Sequence, residues 1–150
     1  MKNHPYRNLA VMLVLSFGAM YALMYAMVDS LANVYANINQ AYMAALMAAP
    51  MAIIELVVMR AMYTSTRANA GILVSAAAAV LAFFLLIRMQ SGVSDPQFLR
   101  SMIPHHGGAI LMCEQASLQD REIEDLCRRI VASQRAEIAE MRAKLDTLER

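Results

Sequence analysis

The stretch LAVMLVLSFGAMYALMYAMV, Leu9 to Val28, runs for 20 residues without a charge. A helix rises about 1.5 Å per residue, so such a run covers the roughly 30 Å hydrocarbon core of a bilayer. Two more runs follow: Ala41 to Met59, interrupted by Glu55, and Ala70 to Ile87, which has no charge. Three membrane-spanning helices are therefore expected. The first run is not a cleavable signal peptide, because it is too long, lacks a small-residue cleavage site and precedes two further spans. A helical bundle buried in a soluble protein is the competing reading. A composition that is 59% hydrophobic argues against it.

Charge divides the chain. Up to residue 90 the cations are Lys2, Arg7, Arg60, Arg67 and Arg88, and the anions are Asp29 and Glu55. The other 8 of 13 cations and 10 of 12 anions fall in residues 91–150, for a net charge of about −2 there. The expected domains are a three-helix transmembrane domain, 1–90, and a charged helical domain, 91–150. Neither is basic enough for nucleic acid. Lys2 and Arg7 precede the first span, Arg60 and Arg67 flank the second loop, and Asp29 to Gln40 holds no Lys or Arg. The positive-inside rule puts the N-terminus in the cytoplasm and the C-terminal domain outside it, with Arg88 a mild counter-signal. A bacterial inner membrane with a periplasmic C-terminal domain is the expected location.

Methionine recurs along the spans. Met20, Met24 and Met27 share a face of the first, and Met43, Met47 and Met51 share a face of the second, continued by Glu55, Met59 and Met62. Helix packing explains such rows, since Met fills irregular gaps. A track of thioether ligands for Cu(I) or Ag(I) is the alternative. Glu55, inside a span, is expected to be neutral or paired with Arg60 or Arg67, and to make a structural hydrogen bond, with a proton relay as the alternative. Asp29, Asn33 and Asn37, four apart, form a polar face on a protruding helix end or a loop cap.

In the C-terminal part, Asp95 followed by Pro96 reads as an N-cap with proline at the first helical position. Pro104 should kink or break that helix. Gly107 and Gly108 weaken it further or admit a close neighbour. LQDRE, residues 118–122, supplies a turn with Asp120 as N-cap, and a long helix runs from Arg121 to Leu148. On it, Glu124 with Arg128, Asp125 with Arg129 and Glu140 with Lys144 stand at i, i+4. A short turn makes an antiparallel helical hairpin. If it centres near residue 120, Cys113 faces Cys127, His106 faces Gln134, and Met102 faces Glu137 and Met141.

SMIPHHGGAILMC, residues 101–113, concentrates soft and borderline metal donors. His106 and Cys113 lie seven residues apart, about 10.5 Å along a helix, too far to share one ion. The cysteines are thus a separate element. In an oxidising compartment they form a disulfide, closing a 15-residue loop worth roughly 3 kcal/mol. A redox-active or Cu(I)-binding dithiol is the alternative. His105 and His106 are about 100° apart on a helix. Both point at one centre only if the helix distorts. Otherwise one faces the hairpin and the other a second subunit. With thioethers from Met102, Met112 and Met141 and the Glu137 carboxylate, the chemistry favours Cu(I) or Cu(II) over Mg, Ca or Mn.

FLRSMIPHHGGAILMCEQA, residues 98–116, followed by LCRRIVASQRAEIAEMRAKL, residues 126–145, resembles the domain-of-unknown-function family 305. The resemblance covers roughly Gln97 to Leu145. The upstream membrane part is similar to a three-span variant of that family. It implies a ferritin-like all-α fold, periplasmic binding of copper or silver, and a role in metal tolerance. His105, His106, Met102, Met112, Gln134, Glu137 and Met141 occupy its signature positions. The family usually has Gln where Gly107 stands, often Asp where Leu111 stands, and more often Ala at Cys113 and Cys127. The chain has no Glu-x-x-His, the motif of di-iron bundle enzymes, so no enzyme activity is expected. Two helices bury little by themselves, and a homo-oligomeric four-helix bundle is expected. The leading expectation is a membrane-anchored copper-sequestering protein. A Met-lined oligomeric transporter and a metal-free scaffold are the alternatives.

Overall fold

The structure, a computed structural model, describes residues 4–150. Lys2, one of the cations that set the expected orientation, lies outside the described residues. Those residues form five helices and no strand: α1 Pro5–Leu23, α2 Ile38–Val58, α3 Thr66–Met89, α4 Asp95–Gln115 and α5 Arg121–Leu148. A tighter helical turn, Met24–Met27, prolongs α1. Three segments are long and apolar enough to cross a membrane: Pro5–Met27, Ile38–Val58 and Thr66–Met89.

The helices fall into two compact units. The first comprises, of the described residues, 4–24 and Asn39–Ser91. Its α2 buries Ala44, Ala48, Ala52 and Leu56, four residues apart. Small side chains at this spacing let helix backbones approach closely. The methionine row stands one residue earlier, and Met43 and Met47 stay 39% and 45% exposed. Alanine, not methionine, therefore makes the packed face. Leu9, Leu56 and Tyr63 form a buried cluster with Tyr6 and Ile72 against it. Tyr63 donates its hydroxyl to Glu55 Oε1 at 3.1 Å. The acid in this second apolar helix thus takes part in a structural hydrogen bond, and its partner is a tyrosine.

The second unit joins Gly92–Arg150 to a short connector, Tyr25–Ile38. Along α4 the row Leu99, Ile103, His106, Ile110, Cys113 alternates steps of four and three residues. Along α5 the row Cys127, Val131, Gln134, Ile138, Met141, Leu145 does the same. That period keeps one seam of each helix toward the other. Ile103, Ile110, Ile138 and Leu145 make the buried core, with Leu99, Val131 and Met141 packed on it. The polar contacts fan out from the turn, Cys113–Cys127 first, then Glu114–Arg135, His106–Glu137 and Arg100–Glu149.

Three local expectations change. Of the kink or break expected at Pro104, the break does not occur: α4 continues through this residue, which is itself buried. An interior proline costs about 3 kcal/mol. Burying Ile103 and Ile110 on either side returns roughly 1.5–3 kcal/mol each, so packing outweighs the lost backbone bond. Ser94, not Asp95, is the N-cap residue, and its side chain makes no capping bond. Arg128 pairs with Asp125, three residues away. Asp120 does cap α5, accepting from the backbone N–H of Glu122 and Ile123 at 2.8 and 3.1 Å.

The glycine pair has a use that its place in a helix hides. A Cβ on Gly107 would collide with the Asp29 carboxylate and lie 3.2 Å from Val28 Cγ1. One on Gly108 would lie 3.3 Å from the Met27 carbonyl oxygen. The connector therefore rests directly on the α4 backbone. Asn33, buried, donates to Asp29 Oδ1 at 2.6 Å and accepts from Arg142 Nη2 at 2.7 Å. The same guanidinium nitrogen donates to the Ala32 carbonyl at 2.6 Å. The Ile38 N–H donates to Gln97 Oε1 at 3.0 Å. Asp29, Asn33 and Asn37 are thus a tether to α4 and α5.

Gly107→Val tests this contact. Valine and glycine differ little in helix propensity, so the collision dominates, at about 1–3 kcal/mol. Denaturant titration of the full chain in detergent should show that loss. Gly18→Val, where a Cβ meets nothing within 4 Å, should leave the α4–α5 unit unchanged.

Candidate functional site

The tandem histidines sit mid-helix on α4 and part ways. His106 belongs to the seam, with its side chain 12% exposed and Nδ1 3.1 Å from Glu137 Oε2. The ring is turned off the line that a hydrogen bond requires, so this buried nitrogen has no hydrogen-bond partner. His105 is exposed, its ring centroid 5.9 Å from that of His106. With one ring in the seam and the other exposed, both do not serve one centre within the chain.

Glu137 is held from its own helix. The Ser133 hydroxyl donates to Oε1 at 2.5 Å, leaving Oε2 toward His106. Equal spacing from the turn puts Gln134 opposite His106, but the carboxylate of Glu137 is what reaches it. Helical side chains lean toward their own N-terminus, so a spot is covered by a residue further along the chain. Gln134 stays half-buried on the same seam.

The thioethers divide as the imidazoles do. Met141 packs on the isoleucine core one turn beyond Glu137. Met112 is 55% exposed and lies seven residues beyond His105, on the same face. Met102 is half-buried, four residues before His106 and three before His105, and borders both faces. Among the described residues, no three of His, Cys, Asp and Glu stand close enough to hold a metal ion. The chain thus brings together one imidazole and one carboxylate, flanked by methionines, and leaves a second imidazole outside.

Cys113 and Cys127 form a disulfide, with Cα atoms 5.3 Å apart, two turns from His106. The connector residues Asp29 and Asn33, with Ser133 and Arg142 of α5, are supporting groups whose place beside this region the sequence did not show. The i, i+4 spacing of Asp29, Asn33 and Asn37 was the available signal.

Burial lowers the His106 pKa, since the charged ring loses hydration. Glu137 opposes this by attraction, and His105 adds to it by repulsion. The folded chain therefore holds His106 neutral at a pH where the unfolded chain protonates it. Stability falls as pH drops below the unfolded value of about 6.5 toward the lower folded value. In metal-free protein, the NMR titration of His106 should have its midpoint below 6.5. Unfolding free energy should decline between pH 7 and 5, and His106→Gln should flatten that decline. A midpoint above 6.5 would contradict the burial argument.

Comparison with known proteins places these helices. The family model described as Domain of unknown function (DUF305) matches residues 61–145, more than half the chain. The match begins well upstream of Gln97, in the turn before α3, so it takes in the third apolar helix. An uncharacterized protein of Acanthamoeba polyphaga mimivirus, L153, is 42% identical over 62 residues. Those residues are 40% of this chain and 41% of the viral protein, so the match spans about two fifths of that relative. No solved structure matches.

Proposed function

The chain belongs to the DUF305 family, and from that premise we propose that it is a membrane-anchored soft-metal-binding protein that sequesters copper or silver. The observation that supports this best is the His106–Glu137 pair, with its unpartnered buried imidazole nitrogen among methionines. A neutral imidazole is the form that binds metal, and burial favours it here. Glu137 lies beside Nδ1, which leaves Nε2 as the ligating atom. With the ring turned so that Nδ1–H donates to it, a carboxylate in that place would orient a ligand histidine and make it more basic. Thioethers from Met102 and Met141 complete a soft set, with Gln134 alongside. Such a set suits Cu(I) over oxygen-seeking ions. The protein binds and does not catalyse.

The outward donors, His105 and Met112, belong in this reading to a second copy's approach. Around them Phe98, Met112, Ile123 and Leu126 are 47–55% exposed on otherwise charged helices. Covering them turns an antiparallel, ferritin-like hairpin into a four-helix bundle. The cation distribution favours an N-terminus in the cytoplasm and α4 and α5 in the periplasm of a bacterial inner membrane.

A second reading is a transporter, favoured by the exposure of Met43 and Met47 on the row that leads to Glu55. It requires that variants at Met47, Met51 and Glu55 abolish metal flux in proteoliposomes. Sequestration leaves flux absent in the wild type as well.

Isothermal titration of the full chain in detergent with Cu(I) separates binding from a metal-free scaffold. Saturable heat in the wild type, weakened at least tenfold in the His105→Ala, His106→Ala double variant, is expected. No heat, or equal affinity in both, would favour the scaffold. Sedimentation in detergent should show dimers or larger species, and monomers at every concentration would contradict the bundle.

A further inference from the structure

The turn end of α4 and α5 carries a second group of soft donors that the histidine site does not use. A surface cleft of about 570 Å³ opens there, and both half-cystines, Glu114, Glu124, Arg128 and Arg135 are among its lining residues. The disulfide is thus not sealed in the isoleucine core. Both half-cystines stand on the wall of a cleft whose volume exceeds that of a small thiol or a hydrated ion. The helix backbones that carry them are fixed independently, by the Ile103–Ile138 core and the Glu114–Arg135 pair at 2.6 Å. Opening the disulfide therefore leaves two thiols facing each other on a preformed scaffold.

We propose that Cys113 and Cys127 form a redox-gated site for one monovalent soft cation, Cu(I) or Ag(I). In the closed state the sulfurs bond to each other and bind nothing. A dithiol reductant opens it by exchange. One reductant thiolate attacks a protein sulfur, the mixed disulfide is resolved by the reductant's second thiol, and the reductant leaves as its own disulfide. The protein gains two electrons and two protons as two thiols. One cation then displaces both protons and is held between two thiolates.

The geometry suits this. Linear ligation with bonds of roughly 2.3 Å needs sulfurs about 4.6 Å apart. Cα atoms 5.3 Å apart meet that by side-chain rotation alone. The product carries one negative charge on an open cleft whose two guanidiniums, Arg128 and Arg135, are paired with Asp125 and Glu114, so solvent screens it. A hard dication gains nothing from two sulfurs without oxygen ligands. The site shares the soft-metal character of the proposed function but none of its residues, so each stands or falls separately.

The test uses the full chain in detergent, half of it reduced with dithiothreitol and desalted without oxygen. Circular dichroism establishes that both halves are folded. Each is titrated with Cu(I) alone, followed by ultraviolet thiolate-to-copper absorption. The reduced protein should bind one more Cu(I) than the oxidised, with the charge-transfer band. That increment should persist in His105→Ala, His106→Ala and vanish in Cys113→Ser, Cys127→Ser. Equal stoichiometry in the two redox states would overturn the proposal. So would a disulfide that dithiothreitol leaves intact in the folded protein, read by thiol alkylation.

Discussion

The seam between α4 and α5 is the constraint on which the rest depends. Two rows with alternating steps of four and three residues meet along it, and each level has its own chemistry. Cys113–Cys127 closes the turn end, Ile110 and Val131 follow, then His106 with Glu137, then Ile103 with Ile138. Because the row is set by the period of the helix, one imidazole of the tandem pair must enter it and the next must leave it. The division between His106 and His105 follows from 100° per residue.

A buried imidazole beside a carboxylate is costly unless the site uses it. His106 loses hydration and receives no aligned hydrogen bond in return. A group left unpaired in a packed seam costs about 1–3 kcal/mol. A metal ion on that ring would let Glu137 orient it, which gives the cost a function. The connector supports this level from outside. It rests on Gly107, the residue after His106, through Asp29, and Arg142 clamps it to α5. The segment between the first two apolar helices is thereby part of the unit that carries the candidate site.

Much of this was legible from the sequence, because it rests on local chemistry. Asp120 before an apolar period of 3.6 marked the start of α5, and two cysteines equidistant from a short turn marked the register. The three apolar runs needed only length and charge. What was not legible depends on contacts distant in sequence. Pro104 breaks helices by its local chemistry, and only the isoleucines that α5 buries keep α4 continuous. Gly107 and Gly108 read as weak points until the connector is seen lying on them. Glu137 replaces Gln134 opposite His106 because side chains lean along the helix, which counting from a turn ignores. Glu55 found Tyr63 because a hydroxyl satisfies a carboxylate without a second buried charge.

The central claim is that His106 and its methionine neighbours form a ligand set for a soft ion. X-ray absorption at the copper edge, on this chain in its oxidised state loaded with one equivalent of Cu(I), reads the ligands directly. Imidazole nitrogen together with thioether sulfur in the first shell is the predicted result. A shell of oxygen alone, or one unchanged when His106 is replaced, would contradict the account.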